Sequence, residues 1–503
     1  MNPNSEEIVQ QIKDKYEALL AYVLKIEGDT PSIYAVERHL LASLLSLGRA
    51  LLLAFILTQQ ARLKQIASVR VNGKLLPLHS QKKRSLRSLF GKITWERGYY
   101  YKEGRGYFLL DARLKMPEKS LSDLLREWFC ELVCYLPYHK SGSFFKNLLA
   151  QKLSVRPLQE SIGEDSALVE AFYQQAPTPL PAMEGSILVA QADGKGIPML
   201  PEDPQPLRVR LGKGEKLGEK KEAIVTSVYT IAPCVRTPEE VTASLFKQVS
   251  TPKRGHSQVV QKRRGPQNKR LWATLAGKKA AIAFLAAQVG LREGEHIQTR
   301  VALTDGSAPL QEKMRTYLPQ FPLVLDIIHA VEYLWEAGNS LHGEKSEARE
   351  GWVRARVLRL LQGESTAVVS ELRALAGMPR RKKTTQGVLL KVAHYYERNH
   401  AYMRYDLYLG AGWPIATGVI EGACRHLVKD RFELAGMHWH VPGAEALLRL
   451  RCVAENGDWE SFHVFRRERQ QVRLYGTCPD ADATTIEIAA AKAREQVTER
   501  QAA

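Results

Sequence analysis

The sequence predicts an α/β protein of more than one domain, and three observations carry this. Between residues 186 and 325, short apolar or β-branched runs alternate with helical stretches, the pattern of an α/β domain. Residues 5–175 read mainly as helix. Between these regions Pro177, Pro179 and Pro181 mark a linker. The 503-residue length suggests about two to four domains. Hydrophobic residues at 45% and charged residues at 25% exclude a wholly disordered or collagen-like chain.

Residues 5 to about 65 carry Leu at helix-compatible intervals. Leu40–Leu57 is apolar enough to suggest a membrane span. Arg49 at its centre opposes insertion by roughly 2.5–3.5 kcal/mol, so a buried or self-associating helix is expected and no membrane partner. The start lacks a basic segment, so no signal peptide is expected. The six cysteines are too scattered for a disulfide scaffold and suit a reducing, cytoplasmic compartment. Cys130 and Cys134, at helical spacing, read as core. Residues 69–75 form a hairpin pattern around Asn72-Gly73. The basic run Lys82-Lys83-Arg84 follows, then an aromatic strand at 93–101. Residues 120–175 return to helix, with expected breaks at Ser141–Ser143 and Leu153–Pro157 that allow a helix-turn-helix.

In the second half, residues 186–192 form a strand expected to end at Asp193, and 223–231 form a β-branched strand. An Ala-rich helix is expected over 270–290. Residues 297–303 make a strand ending at Asp305, and 321–325 one ending at Asp326, with a helix beginning near His329. The pattern is helical from about 330 to 410.

The net charge of +18 favours an anionic partner, most commonly nucleic acid. Against that background the acids stand out. Asp193 and Asp305 follow apolar strands, where α/β sheets open into clefts. A lone Asp before Gly serves equally as a turn or cap. Two of them, together with Glu421, suit hard cations, and paired ions can activate water and stabilise a leaving oxygen at phosphorus. Arg425 and Lys429 fall at i+4 and i+8 from Glu421. They make either a plain ion pair with it or cations along a nucleic-acid backbone.

Four segments in order, residues 192–199, 303–307, 324–335 and 417–439, resemble a bacterial insertion-sequence transposase of the ISKra type. The resemblance spans roughly 185–455. It implies an RNase H-like DDE catalytic domain with Asp193, Asp305 and Glu421 as catalytic acids holding Mg²⁺ or Mn²⁺; Asp326 and His329, at another strand end, serve either as active-site support or in a helix cap or the core. The residues themselves predict, ahead of this α/β part, a mainly helical DNA-binding region at 1–176 containing a small β element at about 69–110. The catalytic domain would begin over 182–330, receive an all-helical insertion at 331–410, close over 411–478 and end in a tail at 479–503. Where such transposases often carry Cys-x-x-Cys, this chain has Lys102 and Arg105, so no structural zinc is expected there.

The expected partners are double-stranded DNA, both terminal inverted repeats and target, and a second copy of the chain when DNA is bound. Candidate DNA contacts are Arg425, Lys429, Lys262, Arg263, Arg264, Lys269 and Arg270. The expected reaction is hydrolysis of a phosphodiester at the element end, followed by attack of the freed 3′-hydroxyl on target DNA. A DNA-binding protein without chemistry and a stand-alone RNase H-like nuclease are the alternatives.

Overall fold

The computed structural model describes residues 5–24, 31–151, 153–201, 220–246, 265–344, 346–476 and 485–486. They divide into two compact units, Met1–Phe172 with Asp458–Ala503, and Tyr173–Gly457.

The first unit contains an antiparallel sheet of β1 (Ser68–Val71), β2 (Lys74–Ser88), β3 (Gly91–Lys102) and β4 (Arg105–Tyr107), with Thr485–Ile486 pairing parallel to β1. Asn72 (φ 47°) and Gly73 (φ 75°) make the tight turn between β1 and β2. Positive φ at both central residues matches the twist of a hairpin, and Asn-Gly tolerates it best. One sheet face packs with Ile56 and Leu63 of helix Ile33–Leu63 around Val69, Leu86, Ile93 and Trp95.

That helix is the one, among the described residues, long and apolar enough to cross a membrane. Only 17% of its most apolar window is buried, so of the two expectations, a buried or a self-associating helix, burial within the chain does not hold. Leu41, Leu44, Leu51 and Phe55 face outward.

Three helices follow, Asp123–Tyr135, Tyr138–Leu149 and Val155–Gln175. The expected break at Ser141–Ser143 does not exist. Ser141 Oγ donates to the Pro137 carbonyl (3.2 Å) and Ser143 Oγ to that of His139 (2.9 Å), so both hydroxyls are absorbed within one helix. The break falls earlier, at Leu136–Pro137; the second comes at Ala150, which is left-handed (φ 51°). Cys130 and Cys134 are fully buried.

The helix Trp459–Tyr475 belongs to this first unit and not, as expected, to the end of the catalytic domain. Arg466 is the reason. Its buried guanidinium donates to Asp123 (2.7 Å) and Gln470 (3.1 Å), lies 3.6 Å from Asp165, and donates through Nε to His463 Nδ1 (3.2 Å). Most of the expected 479–503 tail lies outside the described residues.

The second unit is built on a mixed sheet ordered β7-β6-β5-β8-β9: β5 (Ile187–Pro198), β6 (Lys220–Ile231), β7 (Gln267–Thr274), β8 (Thr299–Thr304) and β9 (Leu323–Leu325). β6 runs antiparallel to both of its neighbours, β5 and β7, whereas β8 and β9 run parallel to β5. Residues 267–274 are a strand where helix was expected at 270, because Leu271–Thr274 are buried against β6 and helix starts only after Gly277. Alternate residues of β5 divide between two cores. Ile187 and Val189 pack on the helices of 327–410, and Leu188, Ala190 and Ala192 on helices Lys278–Gly290 and Ala308–Tyr317. The unit is therefore three layers, helix–sheet–helix.

Burial and the neighbouring Arg466, Arg467 and Arg126 charges push the His463 imidazole down to about 3. A group depressed below its unfolded value contributes stability above about pH 6.5 and loses it as pH falls towards 3. Urea unfolding of the chain should therefore show stability dropping across that window. His463→Asn, which keeps an acceptor for Arg466 but cannot titrate, should flatten the dependence.

Candidate active site

The cluster forms where the parallel pairing of β5, β8 and β9 stops. Gln191 on β5 lies opposite Leu303 on β8, and Thr304 on β8 opposite Leu325 on β9. Two residues beyond the first pairing come Asp193 and Asp305, and one beyond the second come Asp305 and Asp326. The three acids thus stand side by side.

Asp193 does not end its strand. β5 continues to Pro198, paired with β6 on one side, while the parallel pairing with β8 stops at Gln191. The strand continues because Gly194 and Gly196 let Glu222 and Lys220 of β6 lie across it, where a Cβ would collide. The half-buried Asp193 carboxylate accepts from Gly194 N–H (2.6 Å) and Cys424 S–H (3.4 Å). Burial raises its pKa, and the negative charge of Asp305 adds to this; the two donors oppose it. Asp305 accepts from Ser307 N–H (2.9 Å). Its loop is fixed from the helical block, by Tyr395 Oη donating to the Asp305 carbonyl (2.8 Å) and Arg398 to the Gly306 carbonyl (2.8 Å).

Asp326 is fully buried and caps helix Ile327–His342. Oδ1 accepts from Ile328 N–H (3.1 Å) and Thr417 N–H (3.2 Å); Oδ2 accepts from Thr417 Oγ1 (2.6 Å) and His329 Nδ1 (2.7 Å). The Asp326 hydrogen bond lifts His329 to about 9 despite burial, and the charges of Asp326, Glu332 and Asp305 add to it. His329 therefore carries a proton at neutral pH.

Glu421 is exposed on helix Gly418–Ala423. Its Oε1 lies 3.2 Å from Thr417 Oγ1, so one hydroxyl stands between the Asp326 and Glu421 carboxylates. The hydroxyl has one proton, and the shorter contact to Asp326 takes it. The Glu421 carboxylate is left with unfilled acceptor capacity.

Ligand atoms of Asp326, His329 and Glu421 all lie within 4.8 Å of one another, a group that can hold a metal ion. Asp193 and Asp305 do not join Glu421 at that spacing among the described residues. Asp326 and His329, expected only as support, thus sit closer to Glu421. The oxygen donors suit a hard divalent ion. His329 becomes a ligand only on losing its proton.

Past Glu421 the helix changes period. Cys424–Lys429 is π-helical, and Arg451 donates to the carbonyls of His426 and Leu427 that this turn leaves. The expected i+4 stacking of Arg425 and Lys429 on Glu421 is therefore lost. Arg425 is exposed and pairs with Asp430, five residues on (3.7 Å), and Lys429 is exposed. Arg270 is committed within its own unit, donating to Gln288 (3.0 Å) and lying over the Tyr173 ring (5.1 Å), whereas Lys269 is exposed. Lys262, Arg263 and Arg264 lie outside the described residues.

Neither a family model nor a curated protein matches the chain. The site is therefore read from its own residues.

Sequence reasoning missed Thr417, Cys424 and Tyr395. Thr417, one turn before Glu421, carried a readable signal; Tyr395, 90 residues from Asp305, carried none. Thr417→Val preserves shape but removes the donor to a buried carboxylate. It should cost about 1.5–3 kcal/mol in denaturant unfolding and weaken Mn²⁺ binding measured by calorimetry.

Proposed function

We propose that this chain is a metal-dependent DNA transposase of the insertion-sequence type, with an RNase H-like catalytic unit. The observation that carries the reading is the row of Asp193, Asp305 and Asp326 where the parallel pairing of β5, β8 and β9 ends, with Thr417 Oγ1 standing between Asp326 and Glu421. The resemblance expects the first acid at the end of the first strand of the catalytic unit and the second on the strand beside it. Asp193 lies within β5, which runs on to Pro198, and Asp305 follows directly on β8, which adjoins β5; the adjacency supports the reading.

Asp193, Asp305 and Glu421, with Asp326, are the residues that would hold Mg²⁺ or Mn²⁺. When bound, the ion supplies the charge that activates an attacking oxygen and stabilises the leaving one at phosphorus. The chain's own contributions are distinct. Asp326 fixes the His329 ring and the 415–421 segment. Protonated His329 directs positive charge and an Nε2 donor towards a bound phosphate. Cys424 and Gly194 hold the Asp193 carboxylate in place. Exposed Arg425 and Lys429 take up DNA backbone. The substrates are the element's terminal repeats and target DNA, the assembly on DNA contains a second copy of the chain, and the setting is the cytoplasm.

A gel assay for cleavage and strand transfer with terminal-repeat DNA tests this. Asp193→Asn, Asp305→Asn and Glu421→Gln should each lower Mg²⁺-dependent cleavage by about 10²–10³-fold or more while terminal-repeat binding survives. Arg425→Gln or Lys429→Gln should weaken binding first. Wild-type cleavage by Asp193→Asn would end the proposal. Cleavage without joining of a 3′-end to target would make the chain a nuclease instead.

A further inference from the structure

Within the first unit, cations are distributed unevenly. Residues 62–113 contain thirteen Lys and Arg against three Asp and Glu, a net +10 that exceeds half the excess of the whole chain. The helical stretch 123–172 holds five against seven, a net −2. Two of its cations are also paired, Arg126 with Glu164 and Asp165, and Arg156 with Glu160, whereas Lys140 and Lys146 are exposed.

Several sheet cations are set against one another, although Lys83 faces Glu96. Across the β2–β3 ladder Arg87 faces Lys92 and Lys82 faces Arg97; across β3–β4 Lys102 faces Arg105. Like charges directly opposite destabilise a sheet. Arg97 is relieved by the buried Asp111 (2.9 Å), which also takes Arg84 (3.2 Å). Lys83, Lys92, Lys102 and Arg105 are exposed and form no ion pair among the described residues. Aromatic rings stand among the cations. Tyr99 and Tyr101 stack at 5.8 Å, Lys82 lies over Tyr99 at 5.3 Å, and His79 meets Tyr101 edge-on.

We infer that the β2–β3–β4 ribbon, and not the helices of 123–175, is the duplex-DNA-binding surface of the first unit. The inference rests on the nucleic-acid reading of the chain and specifies where that partner sits. Opposed, unpaired cations are stabilised by a continuous polyanion, and a two-stranded β-ribbon fits a major groove. A net-negative helical stretch, with Lys140 and Lys146 as its exposed cations, attracts the same backbone less.

Anisotropy titrations of the full chain with a random-sequence duplex, at several salt concentrations, test this. The quadruple variant Lys83→Gln, Lys92→Gln, Lys102→Gln, Arg105→Gln should bind about tenfold or more weaker near 150 mM salt, and its salt slope should fall by about 3 to 4. The helix variant Lys140→Gln, Lys146→Gln should bind as wild type. Removing the opposed charges should leave the melting temperature unchanged or higher. Lysine acetylation of the wild type gives a reading independent of folding: DNA should shield Lys83, Lys92 and Lys102. Loss of binding in the helix variant with the ribbon variant unaffected would overturn the inference and leave the DNA reading standing. A wild type that binds no duplex overturns both. Tighter, ribbon-dependent binding to single-stranded RNA or to anionic vesicles would overturn duplex DNA as the occupant.

Discussion

The Asp326 carboxylate is the constraint on which the site depends. A fully buried carboxylate is costly unless donors converge on it. Four do: the N–H groups of Ile328 and Thr417, the Thr417 hydroxyl and the His329 imidazole. Those bonds set the start of helix Ile327–His342, orient His329, and bring a segment 91 residues away onto the strand end. Glu421 is where it is because Thr417 is held. The helices between the two therefore return the chain to the sheet at a defined place, with Ile327 N–H bonded to the Ile415 carbonyl (2.9 Å).

The same economy governs the neighbouring acids. Asp193 sits on a strand paired on one side only at that point, so its carboxylate has room beside Asp305 and little water around it. Burial and like charge both disfavour ionisation there, and a divalent cation is what reverses both. The π-helical turn after Glu421 adds a local adjustment. It turns Cys424 towards Asp193 and leaves Arg425 and Lys429 in solvent.

The first unit shows the opposite condition. Its buried charges, Arg466 with Asp123 and Asp165, and Arg84 and Arg97 with Asp111, are satisfied internally. The exposed ribbon cations Lys83, Lys92, Lys102 and Arg105 form no ion pair among the described residues. A sheet that tolerates like charges face to face gives up some stability of its own, and a bound polyanion can return it.

The sequence by itself determined the elements whose signal is local. The Asn72-Gly73 turn, the aromatic strand, the apolar strands before Asp305 and Asp326, and the helical block after 330 follow from spacing and turn chemistry within a few residues. Asp193, Asp305 and Glu421 were legible because acids beside buried strands contrast with a basic chain. Tertiary structure decided the rest. Whether 270–274 became strand or helix depended on β6 beside it. Which of the acids met Glu421 depended on a threonine hydroxyl bridging distant segments. The π-turn, the pairing of Arg270 with Gln288 and Tyr173, and the docking of Trp459–Tyr475 through Arg466 each rest on partners beyond the local pattern, and no local pattern encodes a partner's position.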